Sequence, residues 1–240
     1  MLNLTSDKPK CLLKFRNQSL IDWQLNALKK TGVDDIAVVS GYRSESLSYF
    51  SNNFFYNTEW KTSNIFWSLI KADPWLSKYE CIVSYSDIIY TDRVINLLSN
   101  SMHDFSISYD SNWLPMWKAR FNNPLEDAET FKIDYNRRLV EIGNKPDSLS
   151  DVDGQYMGLL KFTQKSWEII TKGLKNIPNY KLMKLDITAV LNIMISSNII
   201  EVAVEETTDP WFEFDIANNF KVAEKYLVDH YKAGEFSNLI

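Results

Sequence analysis

Apolar positions along the first half of the chain switch between two periods. Ile21, Leu25 and Leu28 recur at helical spacing. They follow Ser19-Leu-Ile-Asp22, a capping-box pattern with Asp in place of the usual Glu, and Gly32 closes the helix. Ile36-Ala-Val-Val-Ser-Gly41 is a short apolar run ending in glycine, which predicts a strand. Residues 43–50 and 64–71 then read as helices, 81–85 as a strand, 91–99 as a helix and 105–109 as a strand. Such alternation implies a mostly parallel sheet with helices on both faces. The middle third changes character: residues 130–134, 139–142 and 156–162 are strand-like with short connections, which predicts antiparallel additions. Helices at 164–174 and 185–196, a strand at 200–204 and a closing helix at 217–231 complete the pattern. No repeat, low-complexity stretch or linker divides it, so residues 1–240 are expected to form one α/β domain. Its sheet should be mixed and mostly parallel, with a small β-rich insertion beside the site.

Composition narrows the classes of function. The 240 residues carry a net charge of −5 with no concentrated basic run, which argues against a nucleic-acid groove. A nucleotide ligand needs only a few cations and backbone donors and stays open. The two cysteines, Cys11 and Cys81, give neither a disulfide framework nor metal-ligand spacing; both read as small core residues, and a reducing cytoplasm fits. The opening residues lack the basic-then-apolar pattern of a signal peptide, and the longest apolar stretch, 187–195, is too short to span a bilayer. His103 and His230 have no Ser or Cys partner at recognisable spacing, so no covalent intermediate is expected.

Four segments carry a resemblance, in order: Lys8-Pro-Lys-Cys-Leu-Leu13, the stretch from Gly32 to Tyr42, Ser84-Tyr-Ser-Asp87, and Trp211-Phe-Glu-Phe-Asp215. Together they resemble the sugar-phosphate nucleotidyltransferase superfamily, whose fold is Rossmann-like. Asn57, Thr62-Ser-Asn64, Ser68-Leu69 and the run Gly154-Gln-Tyr-Met-Gly-Leu-Leu160 are most similar to the branch that includes bacterial CTP:phosphocholine cytidylyltransferases. One departure stands out. The family opens with a strand and a Gly-x-Gly-x-Arg loop whose backbone N–H groups cradle the triphosphate. Here Met1-Leu-Asn-Leu-Thr5 occupies the stretch that follows that loop. The resemblance therefore implies an upstream strand and loop of on the order of 15 residues, without which the sheet should show an open seam.

What the resemblance implies for the residues is specific. The reaction is attack of a phosphate oxygen on the α-phosphorus of CTP, with pyrophosphate leaving, assisted by Mg²⁺. Asp87 and Asp215 are the expected metal ligands and Glu213 a weaker third. Asp87 should sit at the carboxyl end of its strand, where ligands bind in open sheets; the plainer reading of both aspartates is helix capping. Lys10 resembles the phosphate-contacting Pro-Lys lysine, and Lys145, in Gly143-Asn-Lys-Pro146, the lysine that meets the acceptor's phosphate. Tyr42, Asn64 and Ser68 lie near the expected nucleotide pocket, although a packing tyrosine and a helix cap would explain them equally. Gln155 and Tyr156 match a substrate-contacting position.

The acceptor is left open. Trp113 and Trp117, beside Asp110, could hold a quaternary ammonium by cation–π contact or simply pack a lid. Asp127 and Glu129 could pair with a primary ammonium, and Arg120 with an amino-acid carboxylate. Phosphocholine, 2-aminoethylphosphonate and a phosphoglutamine-like acceptor all suit, in a capsule, lipid-headgroup or phosphonate pathway. Two other readings compete: a sugar-1-phosphate nucleotidyltransferase using another NTP, and a non-catalytic nucleotide-binding module. A homodimer through the late helices is plausible.

Overall fold

The computed structural model describes residues 4–33 and 35–231. Met1–Asn3 of the opening motif and Asp34 lie outside them. In chain order the elements are β1 (Lys14–Phe15), β2 (Gln18–Ser19), α1 (Leu20–Lys30), β3 (Ala37–Ser40), β4 (Asn53–Tyr56), α2 (Ile65–Lys71), α3 (Asp73–Leu76), β5 (Cys81–Ser84) and β6 (Ile88–Tyr90). There follow α4 (Asp92–Ser99), β7 (Phe105–Asp110), α5 (Leu114–Arg120), β8 (Phe131–Ile133), β9 (Leu139–Ile142), β10 (Gln155–Phe162) and α6 (Gln164–Leu174). The chain continues through α7 (Asn179–Leu182), α8 (Ile187–Ser196), β11 (Ala203–Thr207), β12 (Trp211–Glu213) and α9 (Asn219–His230).

The first helix forms as its sequence dictates. Asp22 N–H donates to Ser19 Oγ and Ser19 N–H to Asp22 Oδ2, each at 3.2 Å, closing the capping box. Gly32 follows the last turn with φ +78°, the left-handed cap that glycine adopts without a Cβ penalty. Leu20, Ile21, Trp23, Leu25 and Ala27 are buried on its inner face.

The principal sheet has the order β11-β7-β10-β5. It is mixed, as expected, but its pairings correct the expectation of a mostly parallel one: β11 runs parallel to β7, whereas β10 is antiparallel to both β7 and β5. The chain reaches β10 from the antiparallel β8–β9 ribbon rather than through a crossover helix, so it enters the sheet in the opposite sense. β3 pairs in parallel with β4 and with no other described strand, and β5 has one paired edge. The apolar residues Ala37–Val39 and Cys81–Val83 are accordingly half-buried, where the central strand β7 is buried throughout. This also corrects Cys81, which is half-buried rather than core.

Other expectations shift. Residues 43–50 form only a 3₁₀ turn at Ser44–Leu47, because Arg43 takes φ +49° and the run offers one buried apolar side chain, Leu47. The late strand begins at Ala203, not Ile200, since it is pairing with Ser106–Asp110 that defines it. The elements β1, β2, β4, β6, β12, α3, α5 and α7 have no counterpart among the expected ones. No helix among the described residues is long and apolar enough to cross a membrane.

The small antiparallel pair β6–β12 matters most for function. Trp211 opposes Tyr90, Phe212 opposes Ile89 and Glu213 opposes Ile88. All six except Glu213 are core side chains, as is Phe214. A one-residue slip would turn each of these large side chains to the opposite face, so their close packing on both sides fixes the register. The next residues out, Asp87 and Phe214, are joined by a 2.9 Å bond from Phe214 N–H to the Asp87 carbonyl.

Candidate active site

That pairing brings two carboxylates from distant sequence positions to one point. Lys10 Nζ, from the 3₁₀ turn Lys10–Leu12, donates to Asp87 Oδ2 at 2.6 Å and to Asp215 Oδ1 at 3.0 Å. On the other side Arg120, the last residue of α5, donates to Glu213 Oε2 at 3.0 Å and to Asp215 Oδ2 at 2.7 Å. Its guanidinium lies over the Trp117 ring at 4.6 Å from the centroid and is wholly shielded from solvent. Both capping readings are excluded. Asp87 leads into a strand, and the cap of α4 falls at Thr91. The backbone N–H groups of Asp215 and Ile216 are served by Asn219 Oδ1, so the Asp215 carboxylate is free to face the cations.

Electrostatics follow the geometry. Burial pulls the Lys10 ammonium down, but Asp87 and Asp215 outweigh it and leave its pKa raised. Burial likewise works to raise Asp215, and Lys10 with Arg120 overrides it, holding the carboxyl below its ordinary value. Glu213 goes the other way: burial first, then the adjacent Asp215, push it well above the carboxylate range despite Arg120. Three acids and two cations thus share one partly buried network, with Glu213 as its reluctant anion.

The turn that carries Asp87 is clamped from α1. Gln24, buried on the inner face, donates from Nε2 to the carbonyls of Tyr85 at 2.9 Å and Ile88 at 2.7 Å. Beside it, Gly158 takes φ +80° where the β10–β7 register shifts; a Cβ there would lie 2.8 Å from the Tyr85 ring. Tyr85 can therefore lie flat on the strand and meet Tyr156 edge-on, with centroids 5.8 Å apart.

The remaining expected residues separate into those near this network and those that serve structure. Lys145 is exposed on the turn after β9 and donates to the carbonyls of Leu125 and, at 2.8 Å, Glu126. Glu129 is half-buried, and burial raises its pKa. Gln155 Oε1 and the Tyr156 hydroxyl are buried without a hydrogen-bond partner of normal geometry. Asn64 is the cap of α2, accepting from Ile65 N–H at 2.7 Å, and Ser68 accepts from Asn57, itself fully buried; both thus have structural partners. Tyr42 packs at a tilt against Trp60 and donates to the Ser6 carbonyl at 2.5 Å, pinning the opening segment. Trp113 and Trp117 are core side chains, not an open cage: Trp117 packs on Trp113 and Trp211, and its Nε1 donates to Asp127 at 3.1 Å. Arg120, expected for an acceptor carboxylate, is spent on Glu213 and Asp215. Gln24 and Tyr85 were not expected; a lone Gln on the apolar face of α1 was the one available signal.

The fold and the paired carboxylates define a nucleotidyltransferase. Three solved structures share the fold: the inositol-1-phosphate CTP transferase from T. maritima (TM-score 0.71, 16% identity, 97% of this chain and 93% of that one), a putative glucose-1-phosphate thymidylyltransferase from Bacillus anthracis (0.72, 17%, 99% and 94%), and the CTP:phosphocholine cytidylyltransferase from Streptococcus pneumoniae (0.66, 18%, 93% and 92%). In sequence, the chain is 35% identical over 173 residues, 68% of each chain, to the CTP:phosphoglutamine cytidylyltransferase of Campylobacter jejuni. It is 30% identical over 105 residues, 41% of this chain and 43% of the relative, to a choline-phosphate cytidylyltransferase of Streptococcus pneumoniae. No family model matches. The chain belongs to the cytidylyltransferase family of nucleotidyltransferases.

Proposed function

We propose that this chain transfers CMP from CTP to a small phosphate- or phosphonate-bearing acceptor. An acceptor oxygen forms a bond to the α-phosphorus of CTP while the bond to the departing pyrophosphate oxygen breaks. The observation that carries the reading is the convergence of Asp87 and Asp215 on one ammonium, within 3.0 Å of each. Phosphoryl transfer asks for positioning and charge neutralisation more than for covalent help.

Mg²⁺ fits the donor set. Mg²⁺ is commonly held by one or two carboxylates, with substrate phosphates and waters filling its shell. Among the described residues no three His, Cys, Asp or Glu converge as a preformed metal site, which suits an ion that arrives with the triphosphate. Asp87 and Asp215 would hold it, with Glu213 behind them. When bound it neutralises charge building on the transferring group. Lys10 balances the two carboxylates and can exchange them for phosphate oxygens. Arg120 keeps Asp215 and Glu213 oriented from beneath. Lys145, exposed on its turn, is the cation for the acceptor's phosphate.

The two unpaired cysteines favour a reducing cytoplasm. The test is pyrophosphate release with Mg²⁺ and each of CTP, UTP, GTP and ATP. CTP preference with a zwitterionic phosphate acceptor supports the reading. Binding of no nucleotide defeats it.

A further inference from the structure

Both carboxylate oxygens of Asp215 are committed. Oδ2 accepts from Arg120 at 2.7 Å, and that guanidinium is wholly shielded from solvent. Oδ1 accepts from Lys10 Nζ at 3.0 Å, and the same ammonium reaches Asp87 Oδ2 at 2.6 Å. The two cations differ in freedom. Arg120 is fixed among aromatic rings, 4.6 Å from the Trp117 centroid and 4.9 Å from that of Phe121. The Lys10 side chain is 26% exposed, so water reaches the carboxylate pair from its side. Lys10 is the partner that can leave, and Oδ1 is the one oxygen of Asp215 that can be released.

The backbone beneath Lys10 is anchored independently of its ammonium. Leu12 N–H bonds to the Pro9 carbonyl and Leu13 N–H to the Lys10 carbonyl, each at 3.0 Å. Cys11, the next residue, is buried in a small cluster with Ile21, Leu25 and Leu47. The ammonium stands on a flexible four-carbon stem, so it can swing off the pair while the turn stays in place. A divalent cation held by Asp87 Oδ2 and Asp215 Oδ1 would lie between those oxygens, where the ammonium now lies. The two cannot share that place. A metal ion arriving alone must break two charge-assisted bonds and offers Lys10 no new acceptor. A triphosphate offers several.

We propose that Lys10 is an internal stand-in for the metal ion: in the free protein its ammonium holds the Asp87–Asp215 pair and keeps divalent cations off it, and the triphosphate admits the metal by drawing Lys10 onto phosphate oxygens. This deepens the cytidylyltransferase reading and rests on it. Metal entry is thereby tied to the arrival of nucleotide, and the two carboxylates are never left without a cation between them.

The test measures binding of Mn²⁺, a divalent ion that takes the same oxygen ligands as Mg²⁺, to the protein without nucleotide, from the loss of the free-ion electron paramagnetic resonance signal. Lys10→Met and Lys10→Gln both remove the charge, and the anchored turn should let them fold, which thermal unfolding checks. Each should bind Mn²⁺ about 5- to 10-fold tighter than the wild type, the factor expected on losing partly exposed ion pairs. Lys10→Arg, which returns a cation to the pair, should restore the exclusion. Lys8→Met, which takes the same charge from the same segment, should change Mn²⁺ affinity by less than about 2-fold. Asp87→Asn added to Lys10→Met should abolish the gain. Calorimetry with CTP in the absence of metal should move the opposite way, with Lys10→Met binding more weakly; a merely structural role would weaken both ligands. The proposal is overturned if both neutral variants bind Mn²⁺ no tighter than the wild type, or if the gain survives Asp87→Asn. Wild-type binding of CTP without such a gain in the variants removes this inference alone; a wild type that binds no nucleotide, with or without Mg²⁺, removes the enzyme reading with it.

Discussion

Replacing Arg120 by methionine removes a fully shielded guanidinium that holds Glu213 at 3.0 Å and Asp215 at 2.7 Å. Methionine keeps much of the volume against Trp117, so the loss is mainly one of charge and hydrogen bonding. Breaking a buried ion pair costs about 3–5 kcal/mol when the surviving charge stays dry. Here the survivors have relief. The Glu213 and Asp215 side chains are 25% and 38% exposed, and Asp215 retains Lys10. Glu213, already pushed upward by burial, can take a proton. The expected cost is therefore about 2–3 kcal/mol, a fall in Tm of roughly 5–10 °C for a chain of this size. Lys10→Met is the control. Lys10 also makes two charge-assisted bonds, but its side chain is itself partly exposed, and discounting for solvent leaves about 1 kcal/mol. Thermal unfolding at pH 7 checks both, with activity normalised to folded protein. The order of stability loss should be Arg120 over Lys10, and the order of activity loss the reverse. Arg120→Met within about 0.5 kcal/mol of wild type would refute the reasoning.

Three further outcomes follow from particular contacts. Gln24→Leu leaves the Tyr85 and Ile88 carbonyls without their side-chain donor and should cost about 2 kcal/mol, read by chemical denaturation; kcat should fall as well, because the Asp87 turn loses its clamp. Gly158→Ala strains a φ of +80° and drives a Cβ to 2.8 Å from the Tyr85 ring, so acceptor KM should rise more than the KM for CTP in steady-state assays. Asp110 accepts from Trp211 Nε1 at 2.9 Å and Asn112 N–H at 2.7 Å, and burial raises its pKa above the ordinary value in spite of them. A carboxyl raised in the folded state stabilises most below its unfolded pKa of about 3.9 and loses that contribution as pH climbs through the folded pKa. Asp110→Asn removes the loss, so the Tm of the variant relative to wild type should rise between pH 4 and pH 7; a flat or falling difference would contradict it.

Much of the site was legible because its parts stand at punctuated positions. Asp87 follows an apolar strand, Lys10 stands in a Pro-Lys motif, and Asp215 closes an alternating aromatic run. Their meeting point was less legible, since it depends on the β6–β12 register, which neither segment specifies alone. Arg120 was visible as a residue but not in its role: a guanidinium beside tryptophans can face a ligand or bury itself, and the sequence does not say which. Trp113 and Trp117 failed for the same reason, because a core tryptophan and a pocket tryptophan have the same local pattern. The antiparallel sense of β10 was legible in the short connections around residues 130–162, but its place between β7 and β5 in the principal sheet was not, because strand order is set by tertiary pairing.

The central claim is that Asp87 and Asp215 act as one unit on the transferring phosphoryl group. The most direct measurement is single-turnover transfer of CMP from CTP, compared among wild type, Asp87→Asn, Asp215→Asn and the double variant at saturating Mg²⁺. Each single substitution should lower the rate by at least about 10²-fold, and the double should fall little further, as for groups that function together. Losses that multiply in the double variant, or a single variant near wild-type rate, would contradict the account.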